Sequence, residues 1–418
     1  MVQFNALLAA FLIVFLLRVL LREGLTLLNI RHLQRHGRRV PEMLHGEIDE
    51  GTLSRMTDYT VESSRLATLE EIAGDLLTLA VLFCGVLPWL TGALAGMQLP
   101  FVLSGLVFFG TLALAGGMFG LPFDLYRIFG IEKHYGFTTM TFRLWLADLL
   151  KNFAISTILM GLLGGAFLSL LHYAEKSWWI WSWLVFASFQ LLMLWLYPVV
   201  IAPLFNRYEP IQDTDLKEAV MDLANRAGLE ISGIYQVDEG KRSRHTNAYF
   251  TGLGKTRRIV LYDTLLASST QQEILSVLAH EIGHWKKRHI LKQLIFMETA
   301  SLGMFYLFSL LLDWPLLYAT FGFPQPVTYA GLLLIGILTG PLFFFLSPLA
   351  AAVLRRFERE ADDFSRAILG TSAPMVSALK RLARDNLSNL FPHPLYVAFH
   401  YSHPPLLERI TRLMPRQP

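Results

Sequence analysis

Two histidines and a glutamate within one five-residue window have the types and spacing of a metal-dependent hydrolase. His280 and His284 are four residues apart, so on an α-helix they lie one turn apart on one face and can grip a single zinc ion. Glu281, beside the first histidine, is positioned to act as general base on an attacking water. The alternative is an exposed helix with two incidental histidines. The spacing favours a zinc site in which one helix supplies two ligands.

A catalytic zinc site of this kind needs a third protein ligand and leaves one position for water. Glu358 and Asp362 are four residues apart, so they would share one face of a helix. Glu358 is a candidate zinc ligand, and Asp362 a candidate acceptor for the outer N–H of a ligand histidine. The alternative is a solvated charged helix just beyond a membrane span. Glu358 follows the last apolar run by one turn, and this position favours the metal role.

The composition is that of a membrane protein. Of the 418 residues 53% are hydrophobic, and the mean hydropathy is +0.43. The net charge of +3 is small and spread along the chain, which does not indicate a nucleic-acid partner. The single cysteine, Cys84, excludes an internal disulfide and a cysteine zinc cluster. We therefore expect a lipid bilayer to surround much of the chain.

Seven apolar runs are long enough to cross a bilayer, which takes about 20 helical residues. They lie at 4–21, 72–91, 101–121, 153–171, 180–204, 294–312 and 329–354. The first run lacks a basic segment before its apolar part, so we expect an uncleaved anchor rather than a signal peptide. The predicted fold class is a mainly α-helical polytopic membrane protein with seven transmembrane helices.

Basic residues divide the connecting segments into two sets. The segments after runs one, three, five and seven are rich in Lys and Arg, whereas the alternate connections carry almost none. The positive-inside rule then predicts an N-terminus outside the cytoplasm, with the long segments and the C-terminus inside it. The histidine pair would accordingly lie on the cytoplasmic side.

The region between runs five and six has the pattern of a small soluble domain. The sequence predicts a helix at 213–227, strands at 233–237, 248–251 and 258–262, and a second helix that begins near Gln271 after a capping box of Thr270 and Glu273. No Pro or Gly cluster follows, so this helix is expected to run on into the sixth span. The predicted organisation is five spans in 1–205, a cytoplasmic metalloprotease segment with a small β-sheet in 206–293, two spans in 294–354 and a cytoplasmic C-terminal segment in 355–418.

Further motifs accompany the histidine pair along nearly the whole chain. They are L-P-F at 121–123, I-E-K-H-Y-G-F at 131–137, A-P-L-F-N at 202–206, H-T-N-A-Y-F at 245–250, F-E-R-E-A-D at 357–362 and Y-S-H-P-P-L-L-E-R at 401–409. With these motifs the sequence resembles the type I CAAX prenyl proteases, a family of integral-membrane zinc endopeptidases with seven spans. The histidine motif alone indicates only a zinc protease, whereas the motifs at 357–362 and 401–409 are typical of this family.

The resemblance implies a metal centre and a fold. It implies that His280, His284 and Glu358 bind one zinc ion and that Glu281 is the general base. It also implies that the seven membrane helices enclose a large water-filled chamber, which a zincin-like cytoplasmic domain faces.

The resemblance further implies roles for three residues away from the histidine motif. Asn247 and His403 would hold the scissile carbonyl or its oxyanion, and Arg409 would support the groups around the metal. Each polar residue also has an ordinary alternative. Asn247 can cap a turn beside a strand, and His403 can be a loop histidine with a backbone partner.

The expected activity is zinc-dependent cleavage of a peptide or protein substrate that is lipidated or membrane-associated. One alternative is a broad quality-control protease for membrane proteins with no prenyl requirement. Another is a transporter or scaffold with a structural zinc, although such a site needs no adjacent glutamate and usually has four protein ligands. The short connection after the sixth run and residues 414–418, which lack a lysine retention signal, favour a bacterial inner-membrane protein.

Overall fold

The computed structural model describes residues 2–251 and 257–414, and most of these residues are helical. Residues 415–418, on which part of the retention-signal expectation depends, lie outside this range. Helices before the sheet are α1 (Ala6–His36), α2 (Glu50–Phe83), α3 (Val86–Gly96), α4 (Phe101–Tyr126), α5 (Phe142–Leu159), α6 (Gly165–Tyr173) and α7 (Trp178–Leu196). Later helices are α8 (Thr214–Arg226), α9 (Asp263–Ser268), α10 (Gln271–Lys286), α11 (His289–Leu311), α12 (Pro315–Thr320), α13 (Thr328–Leu369), α14 (Ala373–Asp385), α15 (Pro394–His400) and α16 (Leu406–Leu413).

Five helices in the described part of the chain are long and apolar enough to cross a membrane. They are Phe101–Glu132, Phe142–Tyr173, Glu175–Leu204, His289–Leu311 and Thr328–Leu369, and the first three contain π-helical turns that continue the α-helices. A sixth candidate is the pair α2 and α3, which is bent by 56° at its break. The chain is thus an integral membrane protein with five to six apolar membrane helices. Of the seven predicted spans, the first corresponds to α1, which is not among these candidates.

Charged residues distinguish α1 from the other long helices. Arg18 and Arg22 interrupt its apolar sequence, and both form ion pairs with Asp75 of α2. Arg22 also pairs with Glu23 at 2.7 Å and with Glu71 of α2 at 2.9 Å. Only 8% of Arg22 is exposed, so its charge needs these partners. The pairs therefore join α1 to α2 along their polar sides.

The soluble region, which the sequence predicts at 206–293, contains a four-stranded mixed sheet. Its strands are β1 (Tyr208–Pro210), β2 (Gly233–Val237), β3 (Ala248–Thr251) and β4 (Arg258–Tyr262), arranged in the order β1-β2-β4-β3. The strand β2 is parallel to β4, and the outer strands are antiparallel to their neighbours. The three predicted strands are confirmed at their predicted bounds, whereas β1 was not expected. Because no other described strand pairs with the outer side of β3, that side of its backbone is available for pairing.

The helix that carries the histidine motif ends earlier than expected. Thr270 and Glu273 form the predicted capping box at the start of α10, and the helix stops at Lys286. Arg288 then adopts a left-handed conformation with φ of 55°, and α11 begins at His289. The expectation that one helix runs into the sixth span is therefore wrong. A left-handed residue other than glycine costs free energy, so surrounding contacts must impose this break.

Two helices cross closely at the centre of the soluble region. A Cβ atom on Gly283 of α10 would lie 3.0 Å from the Cα of Ala361 of α13, so the backbones almost touch. The hydroxyl of Ser365 on α13 donates to the carbonyl of Ser276 on α10 at 3.0 Å. Since α13 continues from the membrane, this crossing fixes the soluble region to a membrane helix.

Glu273 is expected to stabilise this region more than an ordinary cap does. It is 2% exposed, closes the capping box, and accepts hydrogen bonds from Ser377 and Arg381 of α14. Glu273→Ala would leave a guanidinium without its partner, which costs roughly 3 kcal/mol for a buried pair. We expect a clearly lower melting temperature in detergent. Gln272→Ala, an exposed change in the same turn, is the control, and equal melting of the two variants would contradict this role.

Candidate metal centre

Three side chains from two helices converge beside the α10–α13 crossing. His280 and His284 project from α10 and Glu358 from α13, with one potential ligand atom of each within 4.8 Å of the others. The Nε2 atoms of His280 and His284 lie 3.2 and 3.3 Å from separate oxygens of Glu358. Within the described ranges this is the only group of three or more His, Cys, Asp or Glu side chains with such geometry.

Asp362 and Arg409 orient the first histidine from behind. Oδ1 of Asp362 lies 2.9 Å from Nδ1 of His280, on the opposite side of the ring from Glu358. The guanidinium of Arg409 on α16 donates to both oxygens of Asp362, at 2.6 and 3.0 Å. Asp362 is 1% exposed, so this two-bond contact compensates its charge in a dry environment. The contact fixes the ring orientation of His280.

His289 orients the second histidine in a similar way, a role that was not predicted from the sequence. Its Nδ1 lies 3.1 Å from Nδ1 of His284, and its Nε2 lies 3.1 Å from an oxygen of Glu360. The ring is fully buried and stacks on Phe357 with centroids 4.1 Å apart. A third histidine five residues after His284 was the available signal. The role of His289 could not be predicted, because it depends on the break at Arg288, which turns this ring toward the site.

The donor set fits a divalent metal ion. Oε2 of Glu358 is buried and has no hydrogen-bond donor among the described residues. In the neutral form of the His280 ring the proton lies on Nδ1, which faces Asp362, and the lone pair on Nε2 faces Glu358. Lone pairs from three side chains therefore converge, which is unfavourable unless a cation lies between them. Two imidazoles and one carboxylate are a common donor set of catalytic zinc sites.

Electrostatics tune the residues of the motif differently. Burial opposes a charge on His280, but the carboxylates of Asp362 and Glu358 outweigh it and raise the pKa of this ring to about 9. Burial, with some help from the Glu358 charge, raises the pKa of Glu281 above its usual range. A carboxylate with a raised pKa is a stronger base than an ordinary surface glutamate. Glu281 thus has the chemistry required to accept a proton beside the metal ligands.

His403 lies on the open side of the same cluster. Its Nε2 is 3.3 Å from Oε1 of Glu358, and its Nδ1 is 2.8 Å from the hydroxyl of Ser402. The side chain is 60% exposed, whereas those of His280 and Glu358 are 7% and 9% exposed. The His403 ring is therefore accessible to a bound molecule.

Asn247 immediately precedes the edge strand β3. Its Oδ1 accepts from the backbone N–H of Ala248 at 2.8 Å, and its own carbonyl accepts from Tyr262 at 3.1 Å. The residue is exposed, and β3 packs against α10. The structure thus brings His280, Glu281, His284, Glu358, Asp362, His403 and Arg409 into one cluster, whereas Asn247 precedes a strand that packs on α10.

His245, two residues before Asn247, connects the segment that leads into β3 to other parts of the chain. Its Nδ1 lies 2.9 Å from Oδ1 of Asn386 and its Nε2 3.3 Å from Glu132, while the ring stacks on Phe137. Burial lowers the pKa of His245, but the contacts with Glu132 and Asn386 prevail and raise it overall. No separate role was predicted for His245, because its partners are more than 100 positions away in the sequence.

Family models match both halves of the chain. Residues 29–207 match a model described as CAAX prenyl protease N-terminal, five membrane helices. Residues 210–417 match a model described as peptidase family M48, which includes every residue of the cluster above. A metallopeptidase family implies a metal cofactor.

Individual relatives match over most of their length. The chain is 33% identical to CAAX prenyl protease 1 homolog of Arabidopsis thaliana, over 90% of each chain. It is 32% identical to CAAX prenyl protease 1 of Saccharomyces cerevisiae, over 90% of this chain and 88% of that one. The crystal structure of S. mikatae Ste24p superposes with a TM-score of 0.92 at 29% identity, covering 99% of this chain and all of the other.

Metal binding is predicted to depend on all three converging side chains and on pH. His280→Ala, His284→Ala and Glu358→Gln should each lower the metal content of the purified protein, because each removes a ligand. Protons compete for Nε2 of a histidine whose pKa is raised to about 9 in the metal-free protein, so affinity should fall as the pH is lowered. Elemental analysis after dialysis measures both effects. His134→Ala, a histidine in another segment, is the control, and unchanged metal content in all three variants would contradict the assignment.

Proposed function

This chain belongs to peptidase family M48 and is a membrane metalloendopeptidase, and we propose that His280, His284 and Glu358 hold one zinc ion at its active site. The observation that carries the proposal is the convergence of three potential ligand atoms beside the half-buried Glu281. A structural zinc would need no such base and would usually have a fourth protein ligand. A transporter or scaffold role therefore has less support than catalysis.

The reaction is hydrolysis of a peptide bond by water. A bound zinc ion would supply Lewis-acid polarisation of the scissile carbonyl and would lower the pKa of the attacking water. Glu281 takes the proton from that water as its oxygen attacks the carbonyl carbon, and then delivers the proton to the leaving amine nitrogen. Asp362 and Arg409 keep His280 in one orientation throughout the reaction, through the contact of Asp362 with the ring and of Arg409 with Asp362. Neither residue transfers a proton to the substrate.

His403 and Asn247 are the groups that we assign to the substrate. His403 is exposed on the open side of Glu358 and can donate from Nε2 to the oxygen on which charge develops. Asn247 lies at the start of β3, whose open edge can pair with an extended substrate. A peptide bound along this edge would pass beside α10 with its scissile bond near the zinc.

We propose a seven-span topology in which α1 is the first span. The ion pairs of Arg18 and Arg22 with Asp75 support it, because they compensate the charges that set α1 apart from the other apolar helices. The distribution of Lys and Arg supports an N-terminus outside and an active site on the cytoplasmic side. A central chamber, a separate cytoplasmic metalloprotease domain and a bacterial inner-membrane location stay predictions.

The substrate that we propose is a protein with a hydrocarbon group or apolar segment near the scissile bond. A cavity of about 700 Å³ reaches from Thr251 at the end of β3 and Ile290 of α11 towards the membrane helices. A second cavity of about 720 Å³, almost wholly apolar, adjoins it at Leu159 and Phe189. Together they offer an apolar path that begins at the end of β3 and the first turn of α11. The names of the relatives make a prenyl group the first candidate.

Glu281→Gln is expected to separate metal binding from catalysis. The amide is close in size to the carboxylate but cannot take a proton from water, so the variant should bind zinc at the wild-type ratio. Its kcat on an internally quenched peptide should fall by about 1,000-fold, within the range for loss of a general base. Chelator-treated wild-type protein serves as the inactive reference. Wild-type kcat in Glu281→Gln would refute the assigned base.

Prenylation is expected to accelerate cleavage through the apolar path. Burial of four methylene-sized groups is worth about 3 kcal/mol. A peptide with a farnesylated cysteine should therefore show a kcat/KM about 100-fold above that of the same peptide whose cysteine carries a small, non-prenyl alkyl group. Leu159→Trp, which narrows the junction of the two cavities, should slow only the farnesylated peptide. Equal rates on both peptides would instead favour a broad membrane-protein protease.

A further inference from the structure

The loop that carries His403 is attached to α13 at both of its ends. This loop, Tyr401–Pro405, connects α15 to α16 and runs over the helix that bears Glu358. At its far end Arg409 of α16 binds Asp362 of α13. At its near end Arg355 of α13 binds the last turn of α15. The two attachment points are seven residues apart on α13, about 10 Å at ~1.5 Å per residue, and Glu358 lies between them.

The near attachment is made by a single nitrogen. Nη1 of Arg355 donates to the carbonyl of Val397 at 2.9 Å and to the carbonyl of Tyr401 at 2.8 Å. The last carbonyls of a helix have no full set of partners within it, and a cation there also interacts favourably with the helix dipole. Arg355 thus caps the C-terminus of α15 from another helix, at the residue where the loop begins.

His403 needs such support because its own side chain has few contacts. It is 60% exposed, and the polar contacts of its imidazole with described residues are those with Ser402, its neighbour, and Glu358, the candidate ligand. The position of its ring is therefore set by the backbone of the loop. Pro404 and Pro405 restrict that backbone on the C-terminal side. On the N-terminal side the restriction comes from Arg355.

We propose that Arg355 is a positioning residue that holds His403 at the distance from Glu358 required to reach the substrate oxygen. This inference depends on the proposed role of His403. Arg355 contacts neither the ligand atoms nor the open face of the site, and it acts on catalysis only through the backbone at Tyr401. Its loss should therefore lower kcat while KM and zinc content stay close to the wild-type values.

A double-mutant cycle on the full-length protein tests this coupling. With the quenched peptide, we expect His403→Ala to lower kcat by about 100-fold, as for loss of an oxyanion donor. Arg355→Gln should lower kcat by at least about tenfold, but should have less than about a twofold further effect in the His403→Ala background. Arg355→Lys should restore most of the activity, since one ammonium group can make both bonds of Nη1. Arg366→Gln is the matched control on the same helix, because its exposed side chain pairs only with Asp363, at 3.5 Å.

Each outcome bears on a definite part of the proposal. Wild-type kcat in His403→Ala would remove the proposed role of His403, and with it the reason to position that residue. A strong effect of His403→Ala with a fully additive effect of Arg355→Gln would leave His403 in place and overturn the role of Arg355. Loss of zinc or of the melting transition in Arg355→Gln, without rescue by lysine, would likewise overturn it in favour of a general structural role.

Discussion

The candidate active site depends on the close crossing of α10 and α13. Gly283 and Ala361 bring the two backbones almost into contact, and a side chain larger than a hydrogen at Gly283 would force them apart. Two candidate ligands come from α10 and the third from α13. The distance between their ligand atoms therefore depends on how closely the two helices pack. Metal affinity in such a site is governed by helix packing as much as by the ligands themselves. The crossing also connects the soluble region directly to the membrane helices, since α13 belongs to both.

Three buried charges in the molecule are each matched by a partner from a different element. Arg22 of α1 meets Asp75 of α2, Glu273 of α10 meets Arg381 of α14, and Asp362 of α13 meets Arg409 of α16. An unmatched charge in these places would be strongly unfavourable, whereas a matched pair contributes little net free energy. Their main effect is therefore on geometry, because each pair is satisfied only when the two helices are correctly placed.

Local patterns in the sequence predicted much of the fold. The capping box at Thr270 and the Gly and charged residues that separate β2, β3 and β4 are local signals, and the predicted boundaries of these elements agree with the structure. The spacing of Glu358 and Asp362 also made their common face predictable. The break at Arg288 had no such signal, since a left-handed arginine is imposed by tertiary contacts. The contacts of His289, Arg355 and His245 depend on residues distant in sequence, and periodicity contains no information about them.

The left-handed turn at Arg288 places the start of a membrane helix beside the candidate metal centre. α11 begins with His289, which touches His284, and then continues as an apolar helix able to span the membrane. Such a helix changes its tilt when the hydrocarbon layer becomes thinner or thicker, at a modest cost in free energy. Because the turn separates α10 from α11, a change of tilt would reach the candidate ligand His284 through its contact with His289, while α10 would stay packed on α13. This contact is the route by which bilayer thickness would act on the candidate metal centre.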